Sequence, residues 1–313
     1  MSEQANQPER TFWLHVPLES VRGDWLKPPP DGCLTVLGHR CRLFARPLHN
    51  PGPDMTGPPM VVRQYLLFDP LPETEALKLL DDLKARMPVL GYTEQIWYRI
   101  PGPWTSRNEA HGVYNGPTPS FILSQFEPKP IWLDIHSSSH RFAADLLETK
   151  LPACPAVEDE RIRTAIDLAN ASRQDSLPRS IFLSHLTILD SLATRRDRPK
   201  NICNWLDEKI ADANKLKESG LASALGNLKR ESHGTAIKNL IQRAGEAMGE
   251  SGAQIETRQN LAVKLYAVRS GLSHSGTQTL DPQNVGDACM LARFVIDAAI
   301  KCPGVLENNS ERE

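Results

Sequence analysis

In the segment Leu265-Tyr266-Ala267-Val268-Arg269-Ser270-Gly271-Leu272-Ser273-His274-Ser275-Gly276, a permanently charged arginine and a titratable histidine stand five positions apart. Histidine, with an ordinary pKa of about 6.5, can both take and give a proton near neutral pH. The planar guanidinium of arginine matches the oxygens of a phosphate with paired hydrogen bonds. Such a pair suits phosphoryl chemistry, the arginine stabilising developing charge and the histidine moving protons. On an unbroken helix five residues turn about 500°, which would leave Arg269 and His274 roughly 140° apart around the axis and about 7.5 Å apart along it. Gly271 and the serines around it are poor helix formers, and an end or bend of the helix at this point would bring both groups to one pocket. The plainer alternative is that the two residues cap carbonyls and favour the dipole at a helix end.

The elements that must position this pair are helical. Leu261, Leu265, Val268 and Leu272 recur at i, i+4, i+7 and i+11, the stripe of a helix that faces a core. Upstream, Val157 to Ser172 carries Ile162, Ile166 and Ala169 on one face, and Leu177 to Ala193 carries Phe182, Leu186, Leu189 and Ala193, with Pro178 tolerable in its first turn. His185 falls on the apolar side of that helix and reads as a packed core histidine. Lys200 to Lys217 and Leu221 to Met248 follow as more polar helices, broken near Ser219-Gly220, with Gly249 to Ala253 as a loop. Asp281 as N-cap, Pro282 at N1 and apolar residues from Val285 to Ile300 mark a last helix, which Cys302-Pro303-Gly304 stops.

Tyr266, Arg269, Ser270, Leu272, His274 and, one place late, Gly276 together resemble the signature of the HEPN superfamily, in particular its Apea-like branch. The helix of Ile181 to Leu192 is similar to the family's early helix, with Asp190 standing where Glu is more usual; Ser275 intrudes before the glycine, and Ser270 replaces the Asn, Asp or His of many active members. The resemblance spans roughly residues 155 to 302. It implies a four- or five-helix bundle that dimerises through these helices so that two motifs line one cleft. It also implies a metal-independent endoribonuclease that uses the RNA 2'-OH as nucleophile, as in a toxin or antiphage defence effector. The catalytic set it implies is Arg269, His274, Asp190 and Ser270, with no metal and no cofactor. Asp190 would orient His274 or Arg269, or stand as a partly exposed helix residue. Arg195, Arg196, Arg198 and Lys200, in the connection after the same helix, would hold RNA phosphates together with Tyr266, unless they form a solvated loop around Asp197. The alternative function is a non-catalytic HEPN-like module for dimerisation and for binding nucleotide or protein.

The first half has a different texture. Prolines punctuate residues 1 to about 135, which predicts short strands and turns. Candidate strands are Thr11 to Val16, Leu34 to Val36, Arg42 to Ala45, Met60 to Phe68 and Ser120 to Phe126. One helix is expected over Glu73 to Met87, where Ala76, Leu80, Leu83 and Met87 form a stripe. The chain therefore reads as an α+β domain over residues 1–150, sensory, regulatory or substrate-recognising and able to take a regulatory ligand or partner, followed by an all-α domain over 151–313. Cys33, His39, Cys41 and His49 share odd numbering but contain no Cys-x-x-Cys pair, so zinc is not expected. His136 and His140 would pair on a metal only if helical, and Ser137 to Ser139 favour a turn or a helix start. Trp13, Trp25, Trp97, Trp104 and Trp132 are core residues or stacking platforms for bases.

Bulk properties narrow the classes. With a net charge of -2, the chain cannot coat nucleic acid through bulk positive charge, so any such contact must be local. No run approaches the roughly 18 apolar residues of a membrane span, and the polar start MSEQANQPER points to the cytoplasm. Six scattered cysteines are expected to be reduced.

Overall fold

The computed structural model describes residues 10–20, 25–47, 62–95, 98–100, 106–109, 121–125, 127, 140–173, 175–217, 219–275 and 280–307. The chain divides into two compact units between Val157 and Glu158, a little past the boundary expected near residue 150. Residues 151–157 belong with the first unit for a local reason. Arg86 donates to the carbonyls of Pro152 (3.3 Å) and Cys154, and the Val157 N–H donates to Ala85 (3.2 Å).

The first unit is built on strands β1 (Thr11–Ser20), β2 (Trp25–Lys27), β3 (Cys33–Val36), β4 (His39–Pro47) and β5 (Val62–Pro72), then helix α1 (Glu73–Thr93). After these come β6 (Tyr98–Arg99), β7 (Ser106–Glu109), β8 (Phe121–Ser124), β9 (His140–Ala143) and the short helix α2 (Leu146–Thr149). The sheet runs β3-β4-β5-β1-β8-β7, antiparallel until β7 joins β8 in parallel, with β6 on β1. Leu14, Val16 and Leu18 of β1 and Leu66, Leu67 and Phe68 of β5 are buried at its centre.

The stripe Ala76, Leu80, Leu83 and Met87 is buried as its spacing predicts, but α1 continues through Pro88 to Thr93 instead of stopping at Met87. Burial of Val89, Leu90 and Tyr92 offsets the backbone hydrogen bond that proline removes. Trp13 packs on the cluster of Phe44, Tyr65 and Leu67, with the Arg42 guanidinium 5.4 Å from its ring centroid, which is a structural role. Trp97, Trp104 and Trp132 lie outside the described residues, as do His49 and His136. His140 opens a strand, not a helix. Cys41 is fully buried in β4 and burial pushes its thiol pKa up, while among the described residues no three His, Cys, Asp or Glu side chains converge as a metal site.

The second unit consists of α3 (Glu160–Ser172), α4 (Pro178–Leu192), α5 (Lys200–Lys215), α6 (Ser219–Asn227), α7 (His233–Ala247), α8 (Gly252–Ser275) and α9 (Pro282–Lys301), with a final 3-10 turn over Pro303–Leu306. Helix α9 packs on α3, α4, α7 and α8, whereas α5 and α6 pack chiefly on each other as a hairpin at the side of the bundle. Ile162, Ile166, Ala169, Phe182, Leu186 and Leu189 are all buried, so the sequence stripes face this core. Asp281 caps α9 by accepting from the Gln283 N–H at 2.9 Å. No described helix is long and apolar enough to cross a membrane.

Two expectations about these helices are corrected. The break expected near Ser219-Gly220 is present, between the end of α5 at Lys215 and the start of α6 at Ser219, but Leu221 to Met248 is not one helix. A second break falls at residues 228–232, where the backbone pairs with the α4–α5 connection. Arg198 N–H donates to the Lys229 carbonyl and Glu231 N–H to the Arg196 carbonyl, both at 2.8 Å, around the isolated bridge Asp197–Arg230. Ser232 then caps α7 by accepting from the Thr235 N–H at 3.1 Å. The second correction is that α8 does not end at Gly271; it runs on to Ser275. Glycine permits a break but does not impose one. Leu272, one residue on, is buried, and its carbonyl accepts from Arg179 of α4 at 2.9 Å, which satisfies one of the orphan groups at the helix end.

His185 is a core histidine, with Nε2 at 3.4 Å from Ser172 Oγ. Burial first, and the charge of Arg173 second, push its pKa down from 6.5 to about 4. The unfolded chain therefore binds a proton that the folded chain refuses between these values. The associated stability is present above pH 6.5 and is lost as pH falls towards 4, up to about 3 kcal/mol. Urea unfolding of the full chain across this range should show a steeper acid loss for wild type than for His185→Gln; parallel curves would refute the assignment.

Candidate functional site

The side chain that gathers the others is Asp190, two residues before the end of α4. Its carboxylate accepts a hydrogen bond from the Tyr266 hydroxyl at 2.5 Å, pairs with Nη1 of Arg269, and lies 3.4 Å from Nδ1 of His233. Tyr266 and Arg269 are three residues apart on α8 and so share the face that meets α4. The Arg269 guanidinium sits 5.4 Å from the Tyr266 ring centroid. With Arg179 holding the Leu272 carbonyl, α4 grips the motif helix at both ends of this turn.

The electrostatics hold Tyr266 and Arg269 each in one state. Burial pushes the Tyr266 phenol pKa up, and the hydrogen bond and charge of Asp190 push it further, so Tyr266 remains a protonated donor. Burial pulls the Arg269 pKa down, but the hydrogen bond and charge of Asp190 outweigh it and the net shift is upward. The Asp190 side chain is 19% exposed and that of Arg269 33%, so the pair is partly shielded yet open to a ligand.

The structure brings together only part of the set read from sequence. Asp190 and Arg269 meet, and Tyr266 joins them through its hydroxyl. Ser270 is exposed beside Arg269. His274 occupies the last turn of α8, five positions on from Arg269 along a continuous helix, a spacing that corresponds to about 140° around an ideal axis, and its side chain lies outside the described ones.

The basic residues divide as well. Arg195 is part-buried and spends its guanidinium on the carbonyls of Glu231 (2.7 Å) and Asn227 (3.3 Å); the Arg196 N–H donates to Glu231 Oε1 (3.1 Å). Arg198 and Lys200 are exposed. His233 carries no sequence signal of its own. Ser232 before it is a readable helix cap, but only the tertiary fold puts the start of α7 against the end of α4.

The fold and cluster define the second unit as a helical bundle in which α4 and α8 close on an Arg–Asp–Tyr–His polar group. No family model, curated protein or solved structure matches the chain.

Proposed function

We propose that the chain is a metal-independent endoribonuclease of HEPN type that acts as a homodimer through its C-terminal helices. One observation carries the reading: an acidic residue on the upstream helix, Asp190, holds the arginine of the motif, Arg269, in its charged state at a partly open surface. Asp190 engages Nη1 of a guanidinium that has five N–H donors, which leaves others for phosphate oxygens. In the proposed reaction the RNA 2'-oxygen attacks the adjacent phosphorus and the P–O5' bond breaks. His274 takes the 2'-OH proton and returns one to the leaving 5'-oxygen, while Arg269 stabilises the charge on the phosphorane. The product is a 2',3'-cyclic phosphate.

The continuity of α8 through Gly271 gives the dimer a role in this reading. Because Arg269 and His274 are far apart around one helix, a site that uses both is completed when two motif helices face each other across one cleft. Ser270 offers a hydroxyl next to Arg269, and His233 places an imidazole near the Asp190 carboxylate. Arg195, Arg196, Arg198 and Lys200 would hold the strand. By this reading the protein is a cytoplasmic toxin or antiphage effector, and the first unit senses a trigger or restrains the nuclease. The same continuous helix favours the second reading, a non-catalytic module for dimerisation and for nucleotide or protein binding, should a single copy act alone.

The test is incubation of the purified full chain with total RNA in excess EDTA. Cleavage should persist and leave 2',3'-cyclic or 3'-phosphate ends, because nothing in the proposed reaction requires a divalent ion. Cleavage that stops on chelation and returns with Mg²⁺, or no cleavage under any condition, would sink the reading.

A further inference from the structure

Where α6 gives way to α7, the chain builds a cleft that sequence periodicity does not reveal. It has a volume of about 620 Å³ and is lined by Arg195, Arg198, Lys200, Lys229 and Arg230, with Asp197 the only carboxylate among the described residues of its wall. Five cations against one acid is a local excess in a protein whose net charge is -2. We infer that this cleft is a phosphate-binding seat for the RNA strand adjacent to the Asp190–Arg269 cluster, with Lys229 and Arg230 as binding residues alongside Arg195, Arg198 and Lys200. The identity of the strand rests on the ribonuclease reading; the anion-binding character of the cleft does not.

Four of these five charges are available to a ligand, and the fifth, Lys229, is shared with Asp207. Arg195 is bonded to two neutral carbonyls, so its positive charge is uncompensated there. Arg198 and Lys200 form no ion pair among the described residues. Arg230 meets Asp197 at 3.4 Å, but both side chains are largely exposed, and a pair of that kind holds weakly. Lys229 is tied to Asp207 and turns the cleft wall. Helix α5 begins at Lys200 behind Pro199, with no side-chain cap and no acidic residue in its first turn, so its positive end adds to the field of the cations.

Position points to the strand. The backbone pairing of residues 196–198 with 229–231 forms the cleft wall and continues directly into the cluster: Arg230 precedes His233 by three residues, a span of at most about 11 Å of chain. A strand with one phosphate at Arg269 therefore has neighbouring phosphates within reach of the cleft. The described lining contains no aromatic residue on which a base could stack, so this surface would read backbone, not sequence.

The test uses the full chain, a short 2'-O-methyl RNA that offers no attacking hydroxyl, and inorganic tripolyphosphate. Arg198→Gln, Lys200→Gln and Arg230→Gln are exposed changes whose fold can be checked by circular dichroism. Each should weaken RNA binding several-fold and reduce the slope of log affinity against log salt by about 0.7 for each phosphate no longer neutralised. Tripolyphosphate should compete with RNA on wild type and bind the triple variant at least tenfold more weakly. Binding of both probes by the triple variant as tightly as by wild type, or of neither by wild type, would overturn the proposal. If tripolyphosphate binds in the cleft but RNA is neither bound nor cut, the anion seat stands and the ribonuclease reading falls.

Discussion

Arg269→Ala and His274→Ala are each expected to reduce RNA cleavage by roughly a thousandfold while the helical unit stays folded. Preorganised charge at a phosphorane and a positioned proton-transfer group each contribute effects of about that size. Arg269→Lys should remain badly impaired, because it keeps the charge but loses the planar fork. The helix-end alternative predicts the opposite pattern. If Arg269 and His274 only cap carbonyls, each loss costs about 1 kcal/mol of stability and leaves activity nearly unchanged. Cleavage and thermal unfolding measured on the same preparations separate the two, and full activity in His274→Ala would remove the nuclease assignment.

Asp190→Asn is expected to be nearly as damaging, for a different reason. The amide can still accept from Tyr266 but cannot balance the guanidinium of Arg269 or hold His233 as a carboxylate does. Leaving a part-buried charge without its partner should cost about 1–3 kcal/mol of stability, and cleavage should fall by roughly a hundredfold as Arg269 loses its fixed position. A double-mutant cycle with Arg269→Gln distinguishes a functional pair from two independent residues. The two losses should overlap, with a coupling of about 1–3 kcal/mol in unfolding and a double variant hardly less active than Arg269→Gln alone. Strictly additive effects would show that Asp190 does not act through Arg269.

The parts of this architecture that can be read in the sequence are those set by neighbours a few residues apart. The stripes of α4 and α1 and the Asp281-Pro282 start of α9 are local signals, because periodicity and capping act over a few helical turns. The motif arginine and its acidic partner are legible too, since Arg269 and Asp190 stand at recognisable places in strongly patterned helices.

What only the tertiary structure decided depends on segments far apart in the chain. Proline inside α1 is accepted because Val89, Leu90 and Tyr92 gain burial, and β2 finds a parallel partner in β9 more than a hundred residues away. Helix α8 continues past Gly271, where Arg179 and Asp190 of α4 hold it on either side of the glycine. The helix expected over Leu221 to Met248 breaks because residues 229–231 pair with residues 196–198, and that break creates both the basic cleft and the approach of His233 to Asp190. The sequence determined which residues are candidates for chemistry and which faces are apolar; the tertiary fold decided which of those candidates meet. Intrinsic helix preferences amount to less than about 1 kcal/mol at most positions, so burial and hydrogen bonds to distant partners override them.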